Sequence, residues 1–239
     1  DPARVGVSIV DMATGMWCLI GILSALHQRN ETGEGSKVAS SLLETGIAWV
    51  TVQMSTFMAS GKLPRKWGTG MATTVPYQAF KTKGDQWAII AAGNNRLFKS
   101  LCTALDMPEL VDDPRFESNS VRVQHRKELQ QLIEERTTQY ELDDLVALME
   151  KYNVPSCPIN TLDRVLRDEQ VNALNMIKPV EGFRVEDFRI VDLPFRVNDE
   201  RGQLQSPPPL LGEHTEEVLA SLNYSKEQLE KFKSASVVG

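Results

Sequence analysis

Cysteine is scarce: Cys18, Cys102 and Cys157 are odd in number, widely separated and without CxxC spacing. That excludes a disulfide framework and a cysteine-built zinc site. A reducing compartment is the simplest reading, so the cytoplasm is the expected location, or the mitochondrial matrix if the source is eukaryotic. Histidine is equally scarce, and His27, His125 and His214 have no metal-ligating partner at useful spacing, so no metal is expected. Positive charge is in deficit, with 26 Lys and Arg against 32 Asp and Glu and a net charge of -6. This argues against nucleic acid as a main partner, because polyanion binding needs a clustered cationic footprint. Clean apolar runs are missing too. Residues 16–26 and 42–58 are interrupted by Gly, Ser, Glu and Gln and fall short of a membrane span, so no membrane partner is expected. Internal repeats, low-complexity tracts and a targeting segment are not seen.

What the chain has is ordinary globular composition: 239 residues, 41% hydrophobic and 24% charged, enough for one large core or two modest ones. It opens at Asp1 without an initiator Met and runs at once into an apolar segment, the expectation for a piece of a longer protein. Residues 5–10 are β-branched and predict a strand, with Asp11 at the junction to a helix carrying Met16, Leu19, Ile20, Leu23 and Leu26. The turn Thr32, Gly33, Glu34, Gly35 stops it. A second, long helix is predicted over residues 38–58, with Leu42, Leu43, Ile47, Val50 and Met54 as its stripe.

Residues 61–75 form a loop too long for a simple connector. Beyond it, residues 77–81 and 87–92 predict a hairpin closed by Lys83, Gly84 and Asp85. Asn94 or Asn95 is set to cap a helix carrying Leu97, Phe98, Leu101 and Leu105. Amphipathic helices follow over 123–138 and 142–152, and residues 154–159 predict a short strand. Asn160 or Thr161 caps the next helix, and residues 177–197 alternate enough for two strands. Pro207, Pro208 and Pro209 then stop regular structure. The end is helical, with Ser225 and Gln228 at capping-box spacing.

Several of these segments carry a resemblance. Val10-Asp11-Met12-Ala13-Thr14-Gly15-Met16, then Ile20-Gly21-Ile22-Leu23 and the glycine turn at 32–35, resemble the class III CoA transferases. So do Arg65-Lys66-Trp67-Gly68-Thr69, leading to Val75-Pro76-Tyr77-Gln78-Ala79-Phe80-Lys81, which look most like the succinyl-CoA:glutarate branch. Gly93-Asn94-Asn95, Asp113-Pro114-Arg115-Phe116, Val154-Pro155 with Pro158-Ile159, and Pro209-Leu210-Leu211-Gly212-Glu213-His214-Thr215 continue the match in order.

The resemblance implies an α/β class III CoA-transferase fold. Residues 1–60 are expected to be the carboxyl-terminal part of a Rossmann-like large domain carrying the nucleophile. Residues 61–75 are expected to be a linker with a mobile loop, 76–195 a small α+β domain, and 196–239 a return to the large domain. It also implies a longer enzyme, with an amino-terminal half outside this chain, assembled as an interlocked homodimer. The implied activity is CoA transfer between carboxylic acids, with an acyl-CoA donor and a carboxylate acceptor, and coenzyme A entering as part of the thioester substrate.

Each candidate residue has a plainer reading beside it. By pattern alone Asp11 is an N-cap; by resemblance it is the nucleophile, and a helix amino terminus suits either role. Gly68, Thr69, Gly70 and Met71 read as a surface linker, since the loop lacks the third glycine of a dinucleotide fingerprint and precedes a strand. By resemblance they form the loop that closes over the acyl intermediate and shields it from water. Arg65 and Lys66 read as solvated charge or as contacts to a phosphate or carboxylate, and Tyr77 as core or a stacking surface. A racemase acting on 2-methylacyl-CoA, with Asp11 as acid/base, and an inactive fragment or partner module stand as alternatives.

Overall fold

In the computed structural model, residues 3–202 and 206–238 are described. The chain divides into two compact units, Asp1–Ser156 and Cys157–Gly239.

The first unit opens on helix α1, Ile9–Thr32. Residues 5–8 form no strand, which corrects the sequence reading. A strand needs a neighbour to take its N–H and C=O groups, and the described residues offer none here. The same β-branched run fits the first turn of a helix, and Met12 N–H bonds the Ser8 carbonyl at 3.0 Å. Ser8 therefore holds the N-cap position and Asp11 lies inside the first turn, not at the cap. The predicted stop holds: Gly33 takes a left-handed φ of 75° and its N–H bonds the Arg29 carbonyl.

The predicted long second helix is two helices, α2 (Leu42–Trp49) and α3 (Thr51–Ser60), broken at Val50 with φ -99° and ψ 20°. Ser41 caps α2 by accepting from the Glu44 N–H. Thr14 of α1 donates to Thr45 of α2 at 2.9 Å. A Cβ at Gly21 would meet Val38 Cγ1 at 2.7 Å, so glycine permits that close approach. The α1–α3 segment nevertheless leaves Met16, Leu19, Leu23, Leu43, Val52 and Met58 exposed. By length and composition α1 is also apolar enough to cross a membrane, with mean hydropathy 1.8 over its 18-residue window. This corrects the expectation that no run qualifies: Gly and Ser interrupt the stretch without lowering its average far, and the charged residues sit near its ends.

The core of this unit lies between residues 75 and 154. Strands β1 (Tyr77–Lys81) and β2 (Trp87–Ala91) form the predicted hairpin, antiparallel with Tyr77 opposite Ala91 and Lys81 opposite Trp87. Gly84 supplies a φ of 75° in its turn. Helix α4 (Asn95–Ala104) is capped by the Asn94 side chain, which accepts from Leu97 N–H. Helices α5 (Asn119–Gln124), α6 (Arg126–Thr137) and α7 (Leu142–Lys151) follow. Phe80, Ile90, Phe98, Leu101, Phe116, Leu129, Ile133, Leu145 and Met149 bury fully or nearly so. At the end of this unit Ala91 N–H bonds the Pro155 carbonyl at 2.9 Å, just before β3 (Ser156–Pro158), which begins at the unit's last residue.

The second unit contains α8 (Leu162–Arg167), α9 (Glu169–Leu174), the antiparallel pair β4 (Ile177–Pro179) and β5 (Arg189–Val191), then α10 (Thr215–Ser221) and α11 (Lys226–Ser234). Thr161 takes the N-cap position of α8 without a side-chain cap bond. The two strands expected within 177–197 are present. The Ser225–Gln228 capping box is present in both of its hydrogen bonds.

Candidate active site

Asp11 is exposed on the first turn of α1. Four N–H groups at a helix start lack intrahelical partners, and their partial positive charge favours a carboxylate there. Among the described residues, the Asp11 carboxylate has no hydrogen-bond or ion-pair partner, so its oxygens are open to a reacting carbon.

The linker loop is fastened to the hairpin. Thr69 Oγ1 accepts from Ala79 N–H at 3.1 Å, Met71 N–H donates to the Tyr77 carbonyl at 3.1 Å, and Gly70 N–H donates to Trp67 O at 3.0 Å. Gly68 has φ 62°, a conformation that penalises any other residue, and open space around it. Gly70 is tight: a Cβ there would lie 3.2 Å from Arg126 Nη1 and 3.2 Å from the Trp67 carbonyl. Met71 and Tyr77 are partly exposed. Arg65 and Lys66 are exposed and flank a cleft of about 700 Å³ that Trp67, His125, Arg126 and Lys127 also line. The structure thus brings Arg65, Lys66 and the loop glycines into one neighbourhood. Among the described residues, no hydrogen bond or ion pair joins that neighbourhood to Asp11.

Two arginines escaped the sequence reading. Arg122 is wholly buried, with Nε donating to Val75 O at 2.9 Å, Nη1 to Phe116 O and Asn95 Oδ1, and Nη2 to Gly93 O. Burial holds its guanidinium below the usual arginine range. Arg126 is 8% exposed, donates from Nη2 to the Ala72 carbonyl at 2.8 Å, and stacks 4.5 Å from the Trp67 ring centre. Burial lowers it as well. A signal was present: 122, 126, 129 and 133 recur at helical spacing, and in α6 Arg126 is buried together with Leu129 and Ile133.

Cys102 is buried, and its thiol is pushed up to about 12 chiefly by that burial. This matches an inert structural thiol.

A model of CoA-transferase family III matches residues 1–215, and the chain belongs to that family. Over all 239 residues it is 34% identical to the mouse succinyl-CoA:glutarate CoA-transferase, of which it spans 55%. It is 31% identical to the succinate–glutarate CoA-transferase of Agrobacterium fabrum, with 93% of this chain and 55% of that protein aligned. A solved structure of a CAIB/BAIF family protein from Brucella suis superposes with a TM-score of 0.79 and 36% identity, covering 93% of this chain and 57% of that one. The chain therefore spans about half the length of the relatives it matches.

Proposed function

We propose that the protein transfers CoA between carboxylic acids, with Asp11 as covalent nucleophile and a dicarboxylate such as succinate or glutarate as substrate. The observation that carries this reading is the unpartnered Asp11 carboxylate on the first turn of α1, in a chain of CoA-transferase family III. The names of the mouse and Agrobacterium relatives support the dicarboxylate assignment.

In the proposed sequence an Asp11 oxygen attacks the donor thioester carbonyl, forming a mixed anhydride and expelling CoA thiolate. The thiolate attacks the Asp11 carbonyl, releasing the donor acid and leaving an aspartyl-CoA thioester. The acceptor carboxylate attacks that thioester and frees the thiolate again. The thiolate then attacks the acceptor's acyl carbon, giving the new acyl-CoA and restoring the Asp11 carboxylate. Each step exchanges one acyl bond for another, so neither water nor a redox partner enters. Residues 68–71 serve as the cover that keeps water from the anhydride, and Arg65, Lys66 and Tyr77 as contacts for the acid or CoA.

The four-segment division, a homodimer, and further polypeptide supplying much of the CoA-binding surface belong to the same proposal. The coverage of relatives and the exposed apolar side chains of α1–α3 support them. A reducing location, cytoplasm or mitochondrial matrix, is proposed too, in keeping with three free cysteines. The test is transfer from succinyl-CoA to glutarate, followed by chromatography of the acyl-CoA products. Asp11→Asn is expected to lower the rate by roughly a thousandfold or more. Undiminished transfer by that variant would remove Asp11 from the chemistry.

A further inference from the structure

We propose that Arg126, lying against the linker loop, is the centre of an oxyanion-binding site that takes a carboxylate or phosphate group of a substrate. The identity of the ligand rests on the CoA-transfer reading; the site itself rests on geometry.

Arg122 lies in α5 and Arg126 opens α6, and the two guanidinium groups differ in how far the fold satisfies them. Every nitrogen of the Arg122 guanidinium donates to an acceptor within the fold. Arg126 has one such bond, from Nη2 to Ala72 O, while its Nε and Nη1 are buried without a hydrogen-bond partner among the described residues. Two buried guanidinium donors of an arginine 8% exposed, unpaired and without a counter-charge among the described residues, are costly unless an acceptor arrives.

The surroundings favour an anion as that acceptor. Arg65, Lys66 and Lys127 line the same cleft. Its acidic lining residue, Glu128, is already engaged by Arg115 and faces His125. The cleft thus retains positive charge, and the Trp67 ring lies 4.5 Å from the Arg126 guanidinium. Gly70 packs closely against Nη1, and a Cβ there would crowd it at 3.2 Å. A ligand on Arg126 would therefore be sensed by the loop through Trp67, Gly70 and Ala72 together. A planar guanidinium recognises carboxylate and phosphate alike, so the acid substrate and the nucleotide end of CoA are the two sources.

The experiment titrates the full chain with glutarate and, separately, with adenosine 3′,5′-bisphosphate, reading tryptophan fluorescence. Trp67→Phe identifies the reporting ring. A saturable change with one probe, absent in Trp67→Phe and weakened roughly ten- to a hundredfold in Arg126→Gln, is expected, and the active probe names the source. Circular dichroism checks the fold of each variant; if Arg126→Gln does not fold, Arg126→Lys and Gly70→Ala carry the test, both with weakened binding expected. Wild-type affinity in the folded Arg126 variants, or no saturable change with either probe, overturns the site. Trapping of an acyl group on Asp11 is scored in parallel. A labelled Asp11 with Arg126-independent binding defeats this inference and leaves CoA transfer standing, and the reverse pattern does the opposite.

Discussion

The Arg122 guanidinium lies 4.5 Å from the centre of the Phe98 ring and ties α5 to the Val75 carbonyl at 2.9 Å. Through Gly93 O, Asn95 Oδ1 and Phe116 O it also joins the ends of β2, α4 and the loop before α5. One charged side chain thus organises the start of the hairpin that carries the linker loop.

Arg122→Met, of similar volume, leaves those acceptors unpaired in the core. A loss of about 3–5 kcal/mol is expected, measured by urea denaturation. A loss below about 1 kcal/mol would mean the carbonyls find other donors.

Cys102 should stay silent toward a thiol-disulfide reagent at pH 8 while exposed Cys157 reacts, because its thiol remains protonated up to about 12. Titration follows the same sign. The Cys102 contribution to stability is fully present below the ordinary thiol value of 9.0 and is lost as pH rises from there toward about 12. Unfolding measured across that window should flatten in Cys102→Ala; an unchanged slope would contradict the shift.

Asp113 behaves oppositely. Hydrogen bonds from the Arg115 side chain, and then from the Arg115 backbone N–H, hold its carboxyl at about 2 against an ordinary 3.8. Its contribution is present above 3.8 and disappears as pH falls toward 2. Arg115→Gln should move the Asp113 carboxyl resonance, followed by NMR, to titrate nearer 3.8. A titration that stays near 2 would assign the shift to the backbone instead.

The buried cluster is contained in residues 75–154, whereas α1–α3 bury few apolar side chains. A fragment of residues 61–156 is therefore expected to melt cooperatively, and residues 1–60 alone to bind a hydrophobic dye without a melting transition. A cooperative transition in the shorter piece would show that α1 to α3 hold together unaided.

What was legible in the sequence follows from local chemistry. The hairpin was readable because Lys83-Gly84-Asp85 sits between two apolar runs and can supply a positive φ. The caps at Asn94 or Asn95 and at Ser225 were readable because an Asn or Ser side-chain oxygen before an apolar helical run can accept the backbone N–H three residues on. Residues 5–8 were not: Val5, Val7, Ile9 and Val10 satisfy a strand and a helix start alike, and only a pairing partner separates them. The break at Val50 carries no glycine or proline to announce it. Arg122 and Arg126 were hidden because a charged residue on an amphipathic helix is ordinarily solvated, and burial comes from tertiary contacts that sequence spacing only hints at. Asp11 was found through resemblance, and its place inside the first turn came from the structure.

The most direct test is peptide-mapping mass spectrometry after incubation with succinyl-CoA and trapping with hydroxylamine. The account predicts a hydroxamate on Asp11, formed from its anhydride or thioester and missing in Asp11→Asn. A protein that turns over succinyl-CoA and glutarate with Asp11 unmodified, or with the label on another carboxylate, would contradict it.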